Sequence, residues 1–290
     1  TKSGYSPEAM ADFLSQLQAH TRLEAAISGN PEAAERFSIL QTHPRTADRI
    51  RDAQSNANLI PVEDPVFNRS AYLKQIDGLL YGDNPDHGVV EGRRFIHPKL
   101  GFTFEVPLGY QLFAGQRRVA AQGPEGAIML FAAAPENYSG PMTSYVQDVW
   151  AQQNVLELER LTINGFEAAS GWVAAGRGSN ARYFHASAVR YKDGRIYRFL
   201  ASIPARLAER FEGDFDRIAG SFRQLEPGEA RTIKSRRLAL HKVGRGESAR
   251  EIADRMPFEG YRLERLMVLN GLESAESLRA GDTLKTVVEE

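Results

Sequence analysis

The stretch LERLTINGFEAASGWVAAGRGSNARYFHASAVRYKDGRIYRFLASI, Leu158–Ile203, decides how the middle of the chain is built. Leu158 to Ile163 and Phe166 to Ala175 read as two strands, and Tyr183 to Tyr191 with Arg195 to Ile203 as two more. Asn164-Gly165 and Asp193-Gly194 stand between them, residue pairs that accept the positive φ of a tight hairpin turn. Two hairpins are therefore predicted. Directly downstream, Phe211, Phe215, Ile218 and Phe222 recur at helical spacing within Pro204 to Leu225. That stripe reads as core, with no call on it to hold a cofactor. Upstream, Phe102, Phe104 and Val106 alternate with small or polar neighbours, and Ala127 to Ala132 is a short apolar run, so both read as strands. Pro141 to Gln153 reads as a helix with Tyr145, Val149 and Trp150 on one side. A sheet with helices packed on it buries such faces most economically, and an α/β sandwich is predicted over residues 83–227.

Working outward, the period changes on both sides. Residues 1–82 read as helical. Ser6-Pro7 is a helix start, and Met10, Phe13, Leu14 and Leu17 then fall on one face. Asn30-Pro31-Glu32 repeats the start signal. A further helix follows His43-Pro44, with Ala47, Ile50 and Ala53 on one side. Gln54 to Asp64 reads as polar turns, and Tyr72 to Leu80 as a last short helix before the linker Gly82-Asp83-Asn84-Pro85-Asp86. On the other side, Pro227-Gly228-Glu229 reads as a linker into a third segment, 228–290. There a strand near Leu238 to Val243, helices over Ala249 to Met256 and Arg262 to Asn270, and a strand over Thr283 to Val288 give the order β-α-α-β. The class is α+β multidomain.

The 290 residues carry a formal net charge of -1, without the basic excess that a nucleic-acid partner calls for. No cysteine is present, which excludes disulfides and thiolate zinc sites. No apolar run approaches the roughly 20 residues of a membrane span. The opening Thr1-Lys2-Ser3-Gly4-Tyr5 has neither Met nor an apolar leader, and reads as the start of an excised or processed piece. The histidines are His20, His43, His87, His97, His185 and His241. No two are four apart, so the paired helical ligands of an HExxH zinc site are not in this chain. His97-Pro98 reads as a turn, His185 as a strand residue, and Asp83, Asp86 and His87 as parts of a plain linker.

Two stretches carry a family resemblance. Gly4-Tyr5-Ser6-Pro7-Glu8-Ala9-Met10, then Phe37 through Thr42-His43-Pro44-Arg45-Thr46-Ala47-Asp48-Arg49-Ile50, resemble the tail of the catalytic domain in bacterial periplasmic HExxH metalloproteases related to the CaaX-prenyl proteases. The second match keeps the pattern His-Pro-x-Thr-x-x-Arg-Ile in register. It departs where Ile39 to Gln41 replace the usual aromatic-Ser run. Tyr72-Leu73 and Ile76 to Gly82 resemble extended versions of these proteins. At the other end, Val243-Gly244-Arg245-Gly246-Glu247-Ser248, Ile252-Ala253, Leu266, Leu269-Asn270-Gly271, Leu278, Gly281 and Leu284 are similar to LysM, with Pro257 to Gly260 lengthening the turn after the first helix. The middle segment resembles, more faintly, a PsbP-type sandwich.

The resemblance implies the carboxy-terminal region of a zinc-dependent periplasmic or cell-envelope endopeptidase of the quality-control type, acting on protein substrates. The zinc would belong to the whole protease and none to this chain alone. Its partner would be the missing amino-terminal half of the protease domain. His43 would face the zinc cleft and stabilise an oxyanion, with Arg49 fixing a zinc-ligand carboxylate; from spacing alone, the same two residues read as a loop histidine and a surface arginine. For the LysM-like end, Gly244, Gly246, Glu247, Ser248, Leu278 and Arg279 are the candidate peptidoglycan-binding residues, against a plain packing module. The alternatives from other classes are a non-catalytic envelope-binding module and a purely structural interaction protein.

Overall fold

In the computed structural model, residues 4–27, 46–59, 62–176 and 181–290 are described, and the helix start predicted at Asn30-Pro31 lies outside them. The chain divides into two units, Thr1–Tyr81 with Arg236–Glu290, and Gly82–Ser235.

Among the described residues, the first unit begins with helices α1 (Ala9–Ile27), α2 (Thr46–Leu59) and α3 (Arg69–Ile76). Ser6 starts α1 as a turn, accepting from the Glu8 amide at its side chain and from the Ala9 amide at its carbonyl. Only Leu14 of the predicted apolar face is buried. Met10, Phe13 and Leu17 are 57%, 61% and 46% exposed, and α1 buries Ala11, Leu23 and Ala25 instead. The turns predicted from Gln54 begin later, because α2 continues to Leu59. The helix predicted to Leu80 stops at Ile76, where Asp77 turns extended and Gly78 takes φ +76°.

The second unit is a sandwich. Strands β1 (Val89–Glu91), β2 (Arg94–His97) and β3 (Phe102–Glu105) form one antiparallel sheet with a late strand at Arg223–Gln224. The other sheet has the order β4-β5-β6-β10-β9-β8-β7, from β4 (Gln111–Ala114), β5 (Val119–Gln122), β6 (Ile128–Ala133), β7 (Leu156–Ile163), β8 (Phe166–Ala175), β9 (Arg182–Arg190) and β10 (Ile196–Pro204). Both predicted hairpins are present. Ile163 faces Phe166 across Asn164-Gly165, at φ 46° and 87°, and Arg190 pairs with Ile196 across a turn whose Asp193 and Gly194 have φ 60° and 73°.

Because side chains alternate along a strand, the large sheet buries both faces. Ala168, Trp172, Val189, Tyr197, Phe199 and Ile203 point into the main core. There they meet Phe95, Phe102 and Phe104 of the small sheet and Phe211, Phe215 and Ile218 of helix α4 (Ala208–Gly220). Ala169, Val173, Ala186, Ala188 and Ile196 face the other way, under Met142, Tyr145 and Val146 of a helical segment, Met142–Ser144, that continues as a wide π turn over Tyr145–Ala151. Each fully buried ring stabilises the fold by about 2–3 kcal/mol. Phe222, predicted on the helix stripe, sits just past its end and still joins the core at 0% exposure. Gly88 is obligatory at φ +94°: a Cβ there would stand 2.2 Å from Phe95 Cζ.

The chain then returns to the first unit as a β-α-α-β module. Its strands, Arg236–Lys242 and Thr283–Glu289, pair antiparallel with Leu238 opposite Val287, and its helices are Ala249–Asp254 and Arg262–Asn270. Val243, Ile252, Ala253, Met256, Leu266, Leu284 and Val287 fill the core between them. Residues 78–81 lie along Arg236–Lys242 through an isolated antiparallel bridge, Leu80 to Arg237: the Gly78 amide donates to the Leu238 carbonyl (2.9 Å), the Leu238 amide to the Leu79 carbonyl (2.8 Å) and the Tyr81 amide to the Arg236 carbonyl (2.7 Å). Tyr81 then packs edge-on against Phe258, which the Arg265 guanidinium covers from 4.4 Å. Arg265 also reaches Glu24 of α1 at 3.4 Å. The helical segment and the β-α-α-β module are thus one packed body. No helix among the described residues is long and apolar enough to cross a membrane.

Candidate functional site

Two loops of the β-α-α-β module lie side by side, and the backbone joins them. The first follows the opening strand, over Gly244 to Ser248; the second precedes the closing strand, over Leu278 to Asp282. The Val243 amide donates to the Asp282 carbonyl and the Gly281 amide to the Val243 carbonyl, both at 2.8 Å. Gly244, Arg245, Gly246, Arg279, Ala280 and Gly281 are exposed along this seam, with Leu278 half-buried beneath it.

Each candidate has a local role. Gly246 holds φ +73°, which an L side chain adopts only with strain. Glu247 turns its carboxylate inward: it accepts from the Gly244 amide at 2.8 Å, meets His241 Nε2 at 2.8 Å and is gripped by Arg255. The Gly244 amide, then His241 and Arg255, hold its pKa down at about 2. Glu247 therefore shapes the first loop. Ser248 caps the helix behind it in a reciprocal capping box with Glu251. In the second loop the Arg279 amide donates to Asp282 Oδ2 at 2.9 Å, which leaves the guanidinium at the surface. The open, polar parts of the seam are thus backbone groups, Arg245 and Arg279, with Leu278 as the apolar shelf.

Sequence reading missed the His241–Glu247–Arg255 clamp and the work of Asn270. The Asn270 side chain donates to the Leu266 and Lys285 carbonyls and accepts from the Lys285 amide at 2.7 Å, tying the second helix to the closing strand. The Leu-Asn-Gly signature was the available signal. Gly271 follows at φ +67° as the helix C-cap.

His43 lies outside the described residues. Arg49 is exposed on α2 and lines a cavity of about 480 Å³ with Pro7, Met10, Leu14, Asp52 and Asn56. Among the described residues, no three or more His, Asp or Glu side chains converge as metal ligands. Asp83 accepts from the Val90 amide at 2.8 Å and Asp86 pairs with Lys99 at 3.3 Å, both structural contacts beside the exposed His87. His97 and His185 are buried, and burial lowers the pKa of each to about 4.

Residues 241–286 match the LysM domain family, so the β-α-α-β module is a LysM domain. No curated protein matches the chain. Among solved structures, one from Bacteroides thetaiotaomicron matches at 13% identity and TM-score 0.36, covering 48% of this chain and 51% of that one, about half its length. Cyanobacterial PsbP (CyanoP) from Synechocystis matches at 18% and 0.35, covering 45% and 91%. LpqN of Mycobacterium tuberculosis, described as involved in cell envelope biogenesis, matches at 12% and 0.29, covering 56% and 99%.

Proposed function

We propose that this chain is a cell-envelope binding protein whose LysM domain holds peptidoglycan glycan along the seam between its two loops. The observation that carries this reading is the seam itself. Glu247 and Ser248 are spent on shaping the loops, which leaves exposed backbone groups at Gly244–Gly246, the Arg279 guanidinium and the Leu278 shelf for a neutral, hydroxyl-rich chain. Glycans suit such a surface because many weak hydrogen bonds and one apolar contact fix them without a deep pocket. Co-sedimentation with purified sacculi tests it: the chain pellets, and Arg279→Glu combined with Leu278→Ser weakens pelleting several-fold. Retention of wild-type pelleting by that variant overturns the site.

A second reading is favoured by a specific observation. Met10, Phe13 and Leu17 form an exposed apolar stripe on α1, of the kind that marks a protein contact. In this reading residues 1–82 complete the catalytic domain of a zinc endopeptidase of the periplasm, and the partner on that stripe is the half of the domain that carries the zinc ligands. In this reading the metal would be held by that half. His43 would border the cleft and Arg49 would act as a positioning residue. Intact mass, zinc content and casein cleavage of the protein isolated from its native cells decide it. A zinc-bearing, casein-cleaving species slowed by Arg49→Ala supports this reading, and a metal-free, inactive species sinks it.

A further inference from the structure

Within the sandwich unit, a cavity of about 340 Å³ opens between the small sheet and the β4–β6 side of the large one. Its floor is made of Phe95, Phe102, Phe131 and Tyr197, none more than 4% exposed. The rings are locked together, with Phe102–Tyr197 centroids 4.6 Å apart and Phe131 stacked on Tyr197 at 5.4 Å. Two polar groups are set in this apolar wall. Tyr197 Oη is buried; burial raises its pKa, and a hydrogen bond from the neighbouring Arg195 guanidinium opposes that rise, so the oxygen accepts from Arg195 while its own proton meets no acceptor among the described residues. A buried hydroxyl proton without an acceptor is costly unless a ligand supplies one. His97 accepts from the Leu100 amide at Nδ1 (3.4 Å), which leaves Nε2 as the protonated nitrogen of its neutral ring.

The rim carries the opposite character. Arg117 and Arg118, on the turn between β4 and β5, line the cavity and are exposed. Neither is in an ion pair among the described residues, and the lining contains no carboxylate. Besides burial, neighbouring Lys99 and Arg195, both cationic, and the His87 ring lower the pKa of His97. Of these, Lys99 already has Asp86 as a partner. An aromatic floor of this volume under unpaired guanidinium groups has the makeup of a small-molecule site.

We propose that this cavity binds a small amphipathic anion, an acyl or aryl body bearing a carboxylate or phosphate head. The rings take the apolar body. Arg117 and Arg118 take the charge, for which a planar guanidinium pair is suited. Tyr197 and His97 supply hydrogen-bond donors within.

Calorimetric titration of the full chain with decanoate, decyl phosphate, decanol and decyltrimethylammonium tests this, each below its micelle concentration. One or both anions are expected to bind with 1:1 stoichiometry. Decanol should bind at least tenfold more weakly, and the cation should give no saturable signal. The exposed double variant Arg117→Ala/Arg118→Ala should lose at least tenfold in affinity for the anion, and Tyr197→Phe, which keeps the ring, several-fold. Saturable binding of neither anion, equal affinity for decanol, or unchanged anion affinity in the double variant overturns the proposal.

Discussion

His185 makes the stability of the sandwich unit depend on pH in a calculable way. It lies on β9 at 5% exposure, its ring 4.7 Å from Trp172 and stacked 6.1 Å from Phe215. Burial holds its pKa at about 4, against 6.5 for the free side chain. Above pH 6.5 the ring is neutral in both folded and unfolded chains and adds no pH dependence. Below that, the unfolded chain takes up a proton that the folded one refuses until about pH 4, so stability falls across this window. At about 1.4 kcal/mol per pH unit the full loss is about 3 kcal/mol. Asp216 Oδ1, on a half-exposed side chain, stands 3.4 Å from Nε2 and favours the charged ring, while partial burial, then Glu212 and Glu159, raise the pKa of Asp216 itself. About 2 kcal/mol is therefore expected. Both tryptophans, Trp150 and Trp172, fall within Gly82–Ser235, so their fluorescence in urea reports this unit alone. Between pH 7 and 4.5 the urea midpoint should fall, and His185→Phe should recover about 1 M of that fall. Parallel losses in wild type and variant would refute the burial argument.

Phe222→Ala should cost about 3–5 kcal/mol, because the ring is fully buried among Phe102, Tyr191 and Tyr197, and the same fluorescence assay measures it. Gly88→Ala should lower the thermal midpoint by several degrees, since the new methyl meets the Phe95 ring and the backbone holds positive φ. In the LysM domain, Ser248→Ala removes the capping box and should cost about 1 kcal/mol, seen as faster amide exchange in Ala249–Asp254. The Glu247 carboxylate contributes stability above its unfolded pKa of 4.5 and loses it as pH falls through about 2. The Gly244 amide should therefore keep its bond to the carboxylate until strong acid protonates Glu247, where its resonance moves sharply.

The hairpins of the large sheet were legible because their signals are local. Asn164-Gly165 and Asp193-Gly194 name their own turn geometry, and eight- to ten-residue strands give alternation room to register. The four-residue strands β4 and β5 gave none, nor did β1 and β2. The bridge made by residues 78–81 was hidden because its partner lies some 160 positions away, and no local pattern encodes such a pairing. Periodicity placed Met10, Phe13, Leu14 and Leu17 on one face without stating what covers it, and only Leu14 is covered. At the LysM seam, the motif supplied Gly246, Glu247 and Ser248. That Glu247 faces inward depends on His241 and Arg255, which the fold brings to it from the strand before and the helix after.

Heteronuclear NMR of the full chain, titrated with a soluble glycan strand from peptidoglycan, tests the central claim most directly. The account predicts saturable shifts confined to Gly244–Ser248 and Leu278–Asp282, with the sandwich resonances unmoved. Shifts that fall elsewhere, or none at millimolar glycan, would contradict it.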